Sequence, residues 1–224
     1  MKIKGLLISL SLVMVAAGCQ STSAKEETVK VETNVASTEH TAEDNHQVFD
    51  IDVNGRPILG KEDAKNTIVL AFDYSCPWCT QWFNNVLPKI ENKFIETGKA
   101  KFVSQPLAIL NQDSLFMTKV DQFVELKHPS KYYKVQQKFE SRANKAEVDW
   151  ANEDYILSTL ESVGINTTIE SINKTGQGGF KITSKYTEDY GVDSVPTVYI
   201  NGAKMEDPFD LKEMNQLLDK GGDK

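Results

Sequence analysis

The sequence predicts an α/β fold built on one small sheet, with an all-helical segment inserted between its two halves. Three observations lead to this prediction. A short apolar, β-branched run at 67–72 is followed by helical spacing and by a second strand-like run at 100–109. Another strand, a tight turn and a returning strand occupy 197–206. Between these halves, residues 111–175 show helical periodicity and little strand character, as expected of an insertion of helices.

The composition excludes several classes of protein. With 224 residues, of which 40% are hydrophobic, the chain can bury one core of ordinary size and is too apolar for wholesale disorder. A net charge of −7 offers no basic face for phosphates, so no nucleic-acid partner is expected. Three cysteines are too few for a disulfide-stapled domain and cannot all pair, so their positions carry the information.

Residues 1–18 have the pattern of a signal peptide, with lysines ahead of an apolar run at about 6–17 and small residues at the end. The run is shorter than the roughly twenty residues that a membrane-spanning helix needs. The sequence Ala16-Ala17-Gly18-Cys19 resembles the lipobox of bacterial lipoproteins. This resemblance implies cleavage before Cys19, a lipid on its thiol, and a position on the extracytoplasmic face of a bacterial cell membrane. A plain secretory signal with an incidental cysteine is the alternative.

Residues 19–47 are predicted to be a flexible tether. They are polar, low in complexity and without aromatic residues, so they cannot bury enough surface to offset the entropy of ordering. His40 and His46 within this segment are expected to be solvated rather than to bind a metal.

The first half of the sheet fold is predicted over 48–110. Residues 47–51 alternate as a short strand, and turn-forming residues follow at 54–57. The run at 67–72 suits a central strand that is covered on both faces. Residues 100–109 form the next strand, and a right-handed crossover makes the two strands parallel.

A helix is predicted between these two strands. Apolar residues recur three or four apart from Trp78 to Phe94, and Gly98 suits the position just after the helix. Pro88 lies inside this helix and is expected to produce a kink, because it lacks an amide donor.

The insertion at 111–175 is expected to contain several short helices, broken near His128-Pro129 and Gly164. The second half of the sheet fold, at 176–224, then begins with a helix that ends near Tyr190, with Gly191 as its stop.

The end of the chain contains a strand pair and a helix. Asn201-Gly202 is a strong hairpin signal between strands at 197–200 and 203–206. Asp210 and Glu213 have the spacing of a capping box on a last helix that reaches about Lys220. With the insertion set aside, the order of elements is βαβ, helix, ββα, which is that of a thioredoxin fold.

The motif Cys76-Pro77-Trp78-Cys79 follows a predicted core strand and begins a predicted helix. Pro77 suits the first helical position, which places Cys76 at the N-cap. Unpaired amides and the helix dipole there should lower the pKa of the Cys76 thiol. A stabilised thiolate favours the reduced pair, so the oxidised pair is a disulfide donor. Cys79, one turn on and deeper, is the expected resolving thiol.

The Cys76–Cys79 pair has two other interpretations. A structural disulfide that closes so small a loop gains only about 2 kcal/mol. A zinc site needs two more ligands, but Cys19 is assigned to lipid and His128 is the only histidine of the predicted folded part. No metal site is therefore predicted.

Val195-Pro196-Thr197 precedes the strand at 197–200. A proline that enters a core strand suggests a cis peptide bond and a tight turn, with an ordinary trans proline as the alternative. A cis bond would leave the amide and carbonyl of Val195 free to pair with an extended substrate chain, as an added strand does.

Several segments together resemble the DsbA family of thiol:disulfide oxidoreductases, most closely its lipid-anchored members from Gram-positive bacteria. The resemblance covers about 54–220 and is carried by these residues: Asn54-Gly55-Arg56-Pro57-Ile58-Leu59-Gly60, Ala64, Thr67 to Phe72, Asp73-Tyr74-Ser75-Cys76-Pro77-Trp78-Cys79, and Val195-Pro196-Thr197-Val198-Tyr199-Ile200-Asn201-Gly202. It implies that Cys76 is the surface nucleophile, Cys79 its buried partner, and Val195 with Pro196 the cis-proline loop. It also implies oxidation of paired cysteines in newly secreted proteins, with no cofactor beyond the redox-active disulfide.

Two departures from the family limit the transfer of residue roles. Several members have a buried glutamate six residues before the first cysteine, where Leu70 lies in this chain. Asp73 is the nearest carboxylate, and a hydrogen-bonded turn residue and a proton relay are equally good interpretations of it. Trp78 replaces a common histidine or tyrosine and has no charge, so backbone amides and the dipole must stabilise the Cys76 thiolate. Function should therefore tolerate substitution of Asp73.

The leading hypothesis is an extracytoplasmic thiol:disulfide oxidase that acts as a monomer on unfolded or newly secreted proteins with cysteine pairs. A membrane partner or a small molecule would reoxidise it. One alternative is a membrane-anchored thioredoxin-like reductase. Another is a non-enzymatic binding lipoprotein with a structural disulfide.

Overall fold

The structure is a computed structural model that describes residues 46–142, 150–176 and 179–221. The predicted signal peptide at 1–18, Cys19 and nearly all of the tether at 19–47 lie outside the described residues. In the part of the chain that is described, no helix is both long enough and apolar enough to cross a membrane.

A four-stranded mixed sheet forms the centre of the fold, with strand order β2-β1-β3-β4. The strands are β1 (Asn66–Phe72), β2 (Ala100–Pro106), β3 (Thr197–Ile200) and β4 (Ala203–Lys204). β1 pairs in parallel with β2 and antiparallel with β3. This topology confirms the predicted thioredoxin-like α/β fold.

β1 is covered on both faces, as its continuous apolar sequence predicts. Ile68, Leu70 and Phe72 belong to a large core on one side, and Val69 and Ala71 belong to a smaller core on the other. Successive side chains of a strand point to opposite faces, so only a strand buried on both faces can be apolar throughout. The active-site turn follows the rigid end of this strand.

The strand predicted at 47–51 is wrong. Val48 makes a single bridge to Ala203, because β4 is only two residues long and provides no longer ladder. The prediction of a solvated His46 is also wrong, because its Nε2 lies 2.7 Å from Oε1 of Glu213 and its side chain is only one-fifth exposed. Backbone hydrogen bonds of Gln47 and Phe49 also attach this segment to the hairpin.

The helix after β1 is divided in two. α1 (Pro77–Asn85) ends at Val86, and α2 (Leu87–Ile90) continues into a π-helical turn at Glu91–Ile95. The break precedes Pro88 by two residues, which is consistent with its missing amide donor and the clash of its ring with the preceding turn. Gly98 follows with a φ of +74°, as expected after the end of a helix.

The insertion is helical, as predicted, but its first helix is long. It comprises α3 (Gln112–Lys127), a 3-10 turn (Pro129–Lys131), α4 (Tyr132–Glu140), α5 (Glu153–Ser162) and α6 (Ile169–Thr175). The chain leaves α3 at His128 and turns at Gly164, which has a φ of +76°, so both predicted breaks are found.

The second half contains α7 (Gly179–Asp189), the β3–β4 hairpin and α8 (Leu211–Gly221). Asn201 and Gly202 both have positive φ, at 52° and 85°, as the favoured two-residue hairpin turn requires. A Cβ on Gly202 would lie 2.3 Å from the carbonyl oxygen of Phe49, so only glycine fits at this position.

The capping box predicted for α8 is only half formed. Asp210 accepts hydrogen bonds from the amides of Lys212 and Glu213, as an N-cap residue does. The Glu213 carboxylate instead contacts His46 and the amide of Glu206, so it anchors the segment at residue 46.

Candidate active site

The cysteine pair lies where the chain passes from β1 into α1. Cys76 is the N-cap residue of α1, and Pro77 occupies the first turn. The amide of Cys76 donates to the carbonyl of Asp73 at 3.0 Å, which closes the turn between strand and helix. The amide of Cys79 donates to Sγ of Cys76 at 3.4 Å. The helix start therefore holds the two sulfurs on the same turn.

Both cysteines of the pair are free thiols, and both side chains are buried. Cys79 is fully buried, and Cys76, which was expected at the surface, is only 4% exposed. Part of the cover on Cys76 is Val195, whose carbonyl oxygen accepts a hydrogen bond from its Sγ at 3.4 Å. A reacting sulfur must therefore approach Cys76 past the Val195 carbonyl that covers it.

The Cys76 thiol ionises more readily than an ordinary cysteine. Its pKa is lowered from 9.0 to about 7, first because the Cys79 side chain donates to its sulfur, and further because the amides of Cys79 and Trp78 also donate. Burial and the charge of Asp73 oppose this effect. Backbone amides and the helix dipole were expected to stabilise the thiolate, so the leading contribution of the Cys79 thiol is a correction.

The Cys79 thiol behaves in the opposite way. Burial raises its pKa well above 9.0, and the Cys76 sulfur and the Glu140 carboxylate raise it further. At neutral pH, Cys76 is therefore the thiol with nucleophilic character, whereas Cys79 holds its proton. This asymmetry suits a nucleophile and resolving-thiol pair.

The Val195–Thr197 segment lies directly against Cys76. The Val195–Pro196 peptide bond is cis, as the sequence predicted. Thr197 begins β3, and its hydroxyl donates to the carbonyl of Ser194 at 2.7 Å, which closes the loop. The structure thus brings together the two predicted motifs, although they are separated by more than one hundred residues.

Trp78 forms an apolar rim beside the pair. It is 60% exposed, and its ring packs edge-on against Phe209 at 6.4 Å between centroids. Sequence reasoning missed Phe209, because nothing in its local sequence distinguishes it from an ordinary residue before a helix. A large exposed aromatic surface beside a reactive cysteine can contact apolar side chains of another chain.

Asp73 anchors the active-site turn. It is fully buried; Oδ1 accepts from the amide of Ser75 and the hydroxyl of Ser114, at 2.8 and 2.6 Å. Oδ2 accepts from the amides of Ile109 and Leu110, at 2.9 and 3.0 Å. Four donors on one carboxylate join this turn to the segment after β2 and to the start of α3. This geometry favours the turn interpretation of Asp73.

Two residues beside Cys79 were missed. Glu140, at the end of α4, is only 1% exposed, and its Oε2 accepts from the hydroxyl of Thr80 at 2.9 Å. Thr80 directly follows Cys79, but the two partners are 60 residues apart. No local pattern could have paired them, because the contact depends on how the insertion packs against α1.

Within the described ranges, no group of three or more His, Cys, Asp or Glu side chains has an arrangement that could hold a metal ion. His128, the histidine that was weighed as a ligand, is the C-cap of α3 and packs against Phe123.

Comparison with known sequences gives consistent matches. A family model described as thioredoxin matches residues 52–220. Disulfide bond formation protein D from Bacillus subtilis is 24% identical over 172 residues, covering 75% of this chain and 78% of that protein. A putative protein-disulfide oxidoreductase from Rickettsia bellii is 32% identical over 65 residues, covering 29% and 25% respectively.

Solved structures share the fold. Oxidised BdbD from Bacillus subtilis superposes with a TM-score of 0.73 at 21% identity, covering 80% of this chain and 99% of that one. DsbA from Chlamydia trachomatis gives a TM-score of 0.64 at 18% identity, covering 76% and 93%. Both comparisons span the sheet and the helical insertion together.

Proposed function

Because this chain belongs to the thioredoxin family, we propose that it is a thiol:disulfide oxidase that donates a Cys76–Cys79 disulfide to other proteins. One observation carries the proposal: a thiol with a pKa of about 7 lies at a helix N-cap beside a buried thiol whose pKa is raised. A relative named disulfide bond formation protein D supports the direction of the reaction.

The reaction is two successive exchanges. A substrate thiolate attacks Sγ of Cys76, and Cys79 leaves and takes up a proton. A second substrate thiolate then attacks the substrate sulfur of the mixed disulfide, and Cys76 leaves as a thiolate. The substrate loses two electrons and forms one disulfide, while the enzyme pair gains them. The lowered pKa of Cys76 assists the second step, because a more stable thiolate is a better leaving group. No further cofactor is needed.

Substrates are proposed to be unfolded or newly secreted chains with paired cysteines. An extended chain can lie along Val195–Thr197 and form backbone hydrogen bonds that are independent of its side chains. Trp78 and Phe209 would contact its apolar residues. Backbone pairing with an apolar rim fits substrates of varied sequence.

The location is proposed from the first residues of the sequence. Residues 1–18 would be removed as a lipoprotein signal, Cys19 would carry lipid, and 19–45 would tether the folded part outside the membrane. The two thioredoxin-like parts, at 48–110 and 176–224, and the insertion at 111–175 would act there as one monomer. A membrane protein or a small oxidant would restore the disulfide.

A thioredoxin-like reductase is the second candidate. A Cys76 pKa of about 7 is close to the roughly 7 of thioredoxin and above the roughly 3.5 of a strongly oxidising family member. The same residues would then transfer electrons in the opposite direction.

Two assays separate these functions. Oxidised protein should convert a dithiol peptide to its disulfide faster than the reduced protein reduces insulin. Rapid insulin reduction with slow peptide oxidation would identify a reductase, and inactivity in both would leave a binding lipoprotein. A Cys79→Ser variant should trap substrates on Cys76 as mixed disulfides in cells, and a Cys76→Ser, Cys79→Ser double variant is the matched control.

A further inference from the structure

Cys79 presents a proton-transfer problem that the cysteine pair alone does not solve. The side chain is fully buried, and burial raises the pKa of its thiol well above 9.0. Exchange nevertheless requires Cys79 to gain a proton when it leaves and to lose one when it attacks. Bulk water cannot reach the sulfur directly, so a buried group of the protein must exchange that proton.

Two buried carboxylates, those of Asp73 and Glu140, lie near the pair. Asp73 affects the Cys76 thiol, and its two oxygens receive four hydrogen bonds from the surrounding turn. Glu140 affects the Cys79 thiol. Thr80 directly follows Cys79, and its hydroxyl donates to Oε2 of Glu140 at 2.9 Å. Both oxygens of Asp73 are already occupied by the four donors of its turn. Glu140 is therefore the better placed proton acceptor for Cys79.

Glu140 also lies beside a cleft. It forms part of the wall of a cleft of about 310 Å³ between α1–α2 and α4, together with Glu91, Lys134 and Gln136. Its Oε2 is held by the hydroxyl of Thr80. Glu140 thus lies between the segment that carries Cys79 and the cleft.

We propose that Glu140, held in place by Thr80, accepts the proton of Cys79 when Cys79 attacks a mixed disulfide, and returns it when Cys79 leaves. This proposal rests on the proposed thiol–disulfide chemistry and names the group that completes it. A carboxylate from the insertion would then perform the proton transfer. β1 supplies no acid for it, because Leu70 lies six residues before Cys76.

The charge of Glu140 acts on several titratable groups around it. Burial raises the pKa of Tyr74, of Cys79 and of Tyr155, and the charge of Glu140 raises each of them further, although the three lie on different segments. Arg142 lies over the ring of Tyr155, with its Cζ 4.8 Å from the ring centroid, and lowers the pKa of that tyrosine. These groups all lie in the surroundings of the Glu140 carboxylate.

The test follows the reaction of the reduced full-length protein with oxidised glutathione. The Cys76 thiolate attacks one glutathione sulfur, and a glutathione thiolate leaves. Cys79 then gives its proton to Glu140 and attacks Sγ of Cys76, and the second glutathione leaves and takes up a proton from solvent. Two electrons pass from the pair to glutathione. Acid quenching with mass spectrometry measures each step separately.

Glu140→Gln keeps the shape and an oxygen acceptor for Thr80 but cannot take up a proton. We expect the first step to be unchanged and the second to slow at least tenfold, so that the mixed disulfide accumulates; a positioned base contributes about 100-fold or more in enzymes. The rise of the second rate with pH should also be weaker in the variant. Equal second-step rates in the variant and the wild type would overturn the proposal.

Three further variants separate proton transfer from structure. Thr80→Val should slow the second step, and Thr80→Ser, which keeps the hydroxyl, should not. Glu91→Gln removes another carboxylate of the same cleft and should match the wild type. Slowing by Glu91→Gln as large as that by Glu140→Gln would overturn the assignment, as would a Thr80→Val protein with wild-type rates. The readout does not use a protein substrate, so failure of the proposed oxidase function would appear separately as slow peptide oxidation by the wild type.

Discussion

The sulfur of Cys76 lies 3.4 Å from the carbonyl oxygen of Val195, and the hydrogen bond between them joins segments 119 residues apart. This bond exists only while Cys76 carries its proton. When the thiol ionises, the carbonyl loses its donor and can accept an amide from another chain instead. Activation of the sulfur and exposure of a backbone acceptor are therefore coupled at this site.

The pKa of Cys76 should depend on the Cys79 side chain. Alkylation of Cys76 should follow a titration with a midpoint of about 7 in the wild type, and Cys79→Ala should raise this midpoint because the leading donor is lost. The midpoint of Cys79→Ser, which keeps a donor, should lie between those of the wild type and Cys79→Ala. Iodoacetamide labelling against pH measures all three, and an unchanged midpoint in Cys79→Ala would contradict the assigned cause.

The stability of the dithiol form should rise with pH between about pH 7 and pH 9. The pKa of Cys76 is lower in the folded protein than in an unfolded chain, so between about 7 and 9 the unfolded state binds more protons. The stabilisation from Cys76 is complete above about pH 9 and is lost as the pH falls through about 7. Urea unfolding of the reduced protein should show the rise, and Cys76→Ser should reduce it.

Asp73→Asn should destabilise the protein but leave exchange intact. An amide in place of one oxygen leaves two of the four donors around Asp73 without an acceptor, at a cost of about 1–3 kcal/mol. Urea unfolding measures that cost, with Asp189→Asn on the surface as the control. Loss of peptide oxidation by folded Asp73→Asn protein would show that Asp73 transfers protons after all.

Trp78→Ala should weaken the handling of apolar substrates without changing the sulfur chemistry. Truncation of a contact aromatic commonly costs more than about 1 kcal/mol of binding, which is roughly a fivefold increase in KM for a dithiol peptide with apolar flanks. The Cys76 titration should stay near that of the wild type, since only the Trp78 backbone amide contributes to it. Phe180→Ala, at an aromatic residue that is 67% exposed, is the matched control. An equal loss in both variants would refute a specific role for Trp78.

Arg56 should be essential to the packing of the insertion against the sheet. Its buried guanidinium contacts Asp121, Glu125 and Tyr132, and its removal would leave the Asp121 carboxylate without its cation. Arg56→Met should cost about 3–5 kcal/mol in the free energy of unfolding. Lys185→Met, which breaks an exposed pair with Asp189, should leave the free energy of unfolding nearly unchanged. Similar losses of unfolding free energy in Arg56→Met and Lys185→Met would contradict this explanation.

The sheet and the cysteine pair could be predicted because their signals are local. The short apolar, β-branched run at 67–72 favours a buried strand. The motif Cys76-Pro77-Trp78-Cys79 contains the signal for the start of its helix within four residues. The contacts of Glu140 and Phe209 could not be predicted, because each depends on tertiary packing between distant segments. The strand predicted at 47–51 failed for the same reason: its pairing depends on the length of β4.

The redox equilibrium of the Cys76–Cys79 pair with glutathione tests the central claim most directly. Protein equilibrated at a series of ratios of reduced to oxidised glutathione, then acid-quenched and alkylated, gives the reduction potential of the pair. An oxidase should lie well above the roughly −270 mV of thioredoxin, towards the roughly −120 mV of a strongly oxidising family member. A value at or below about −270 mV would contradict the proposed oxidase and identify a reductase.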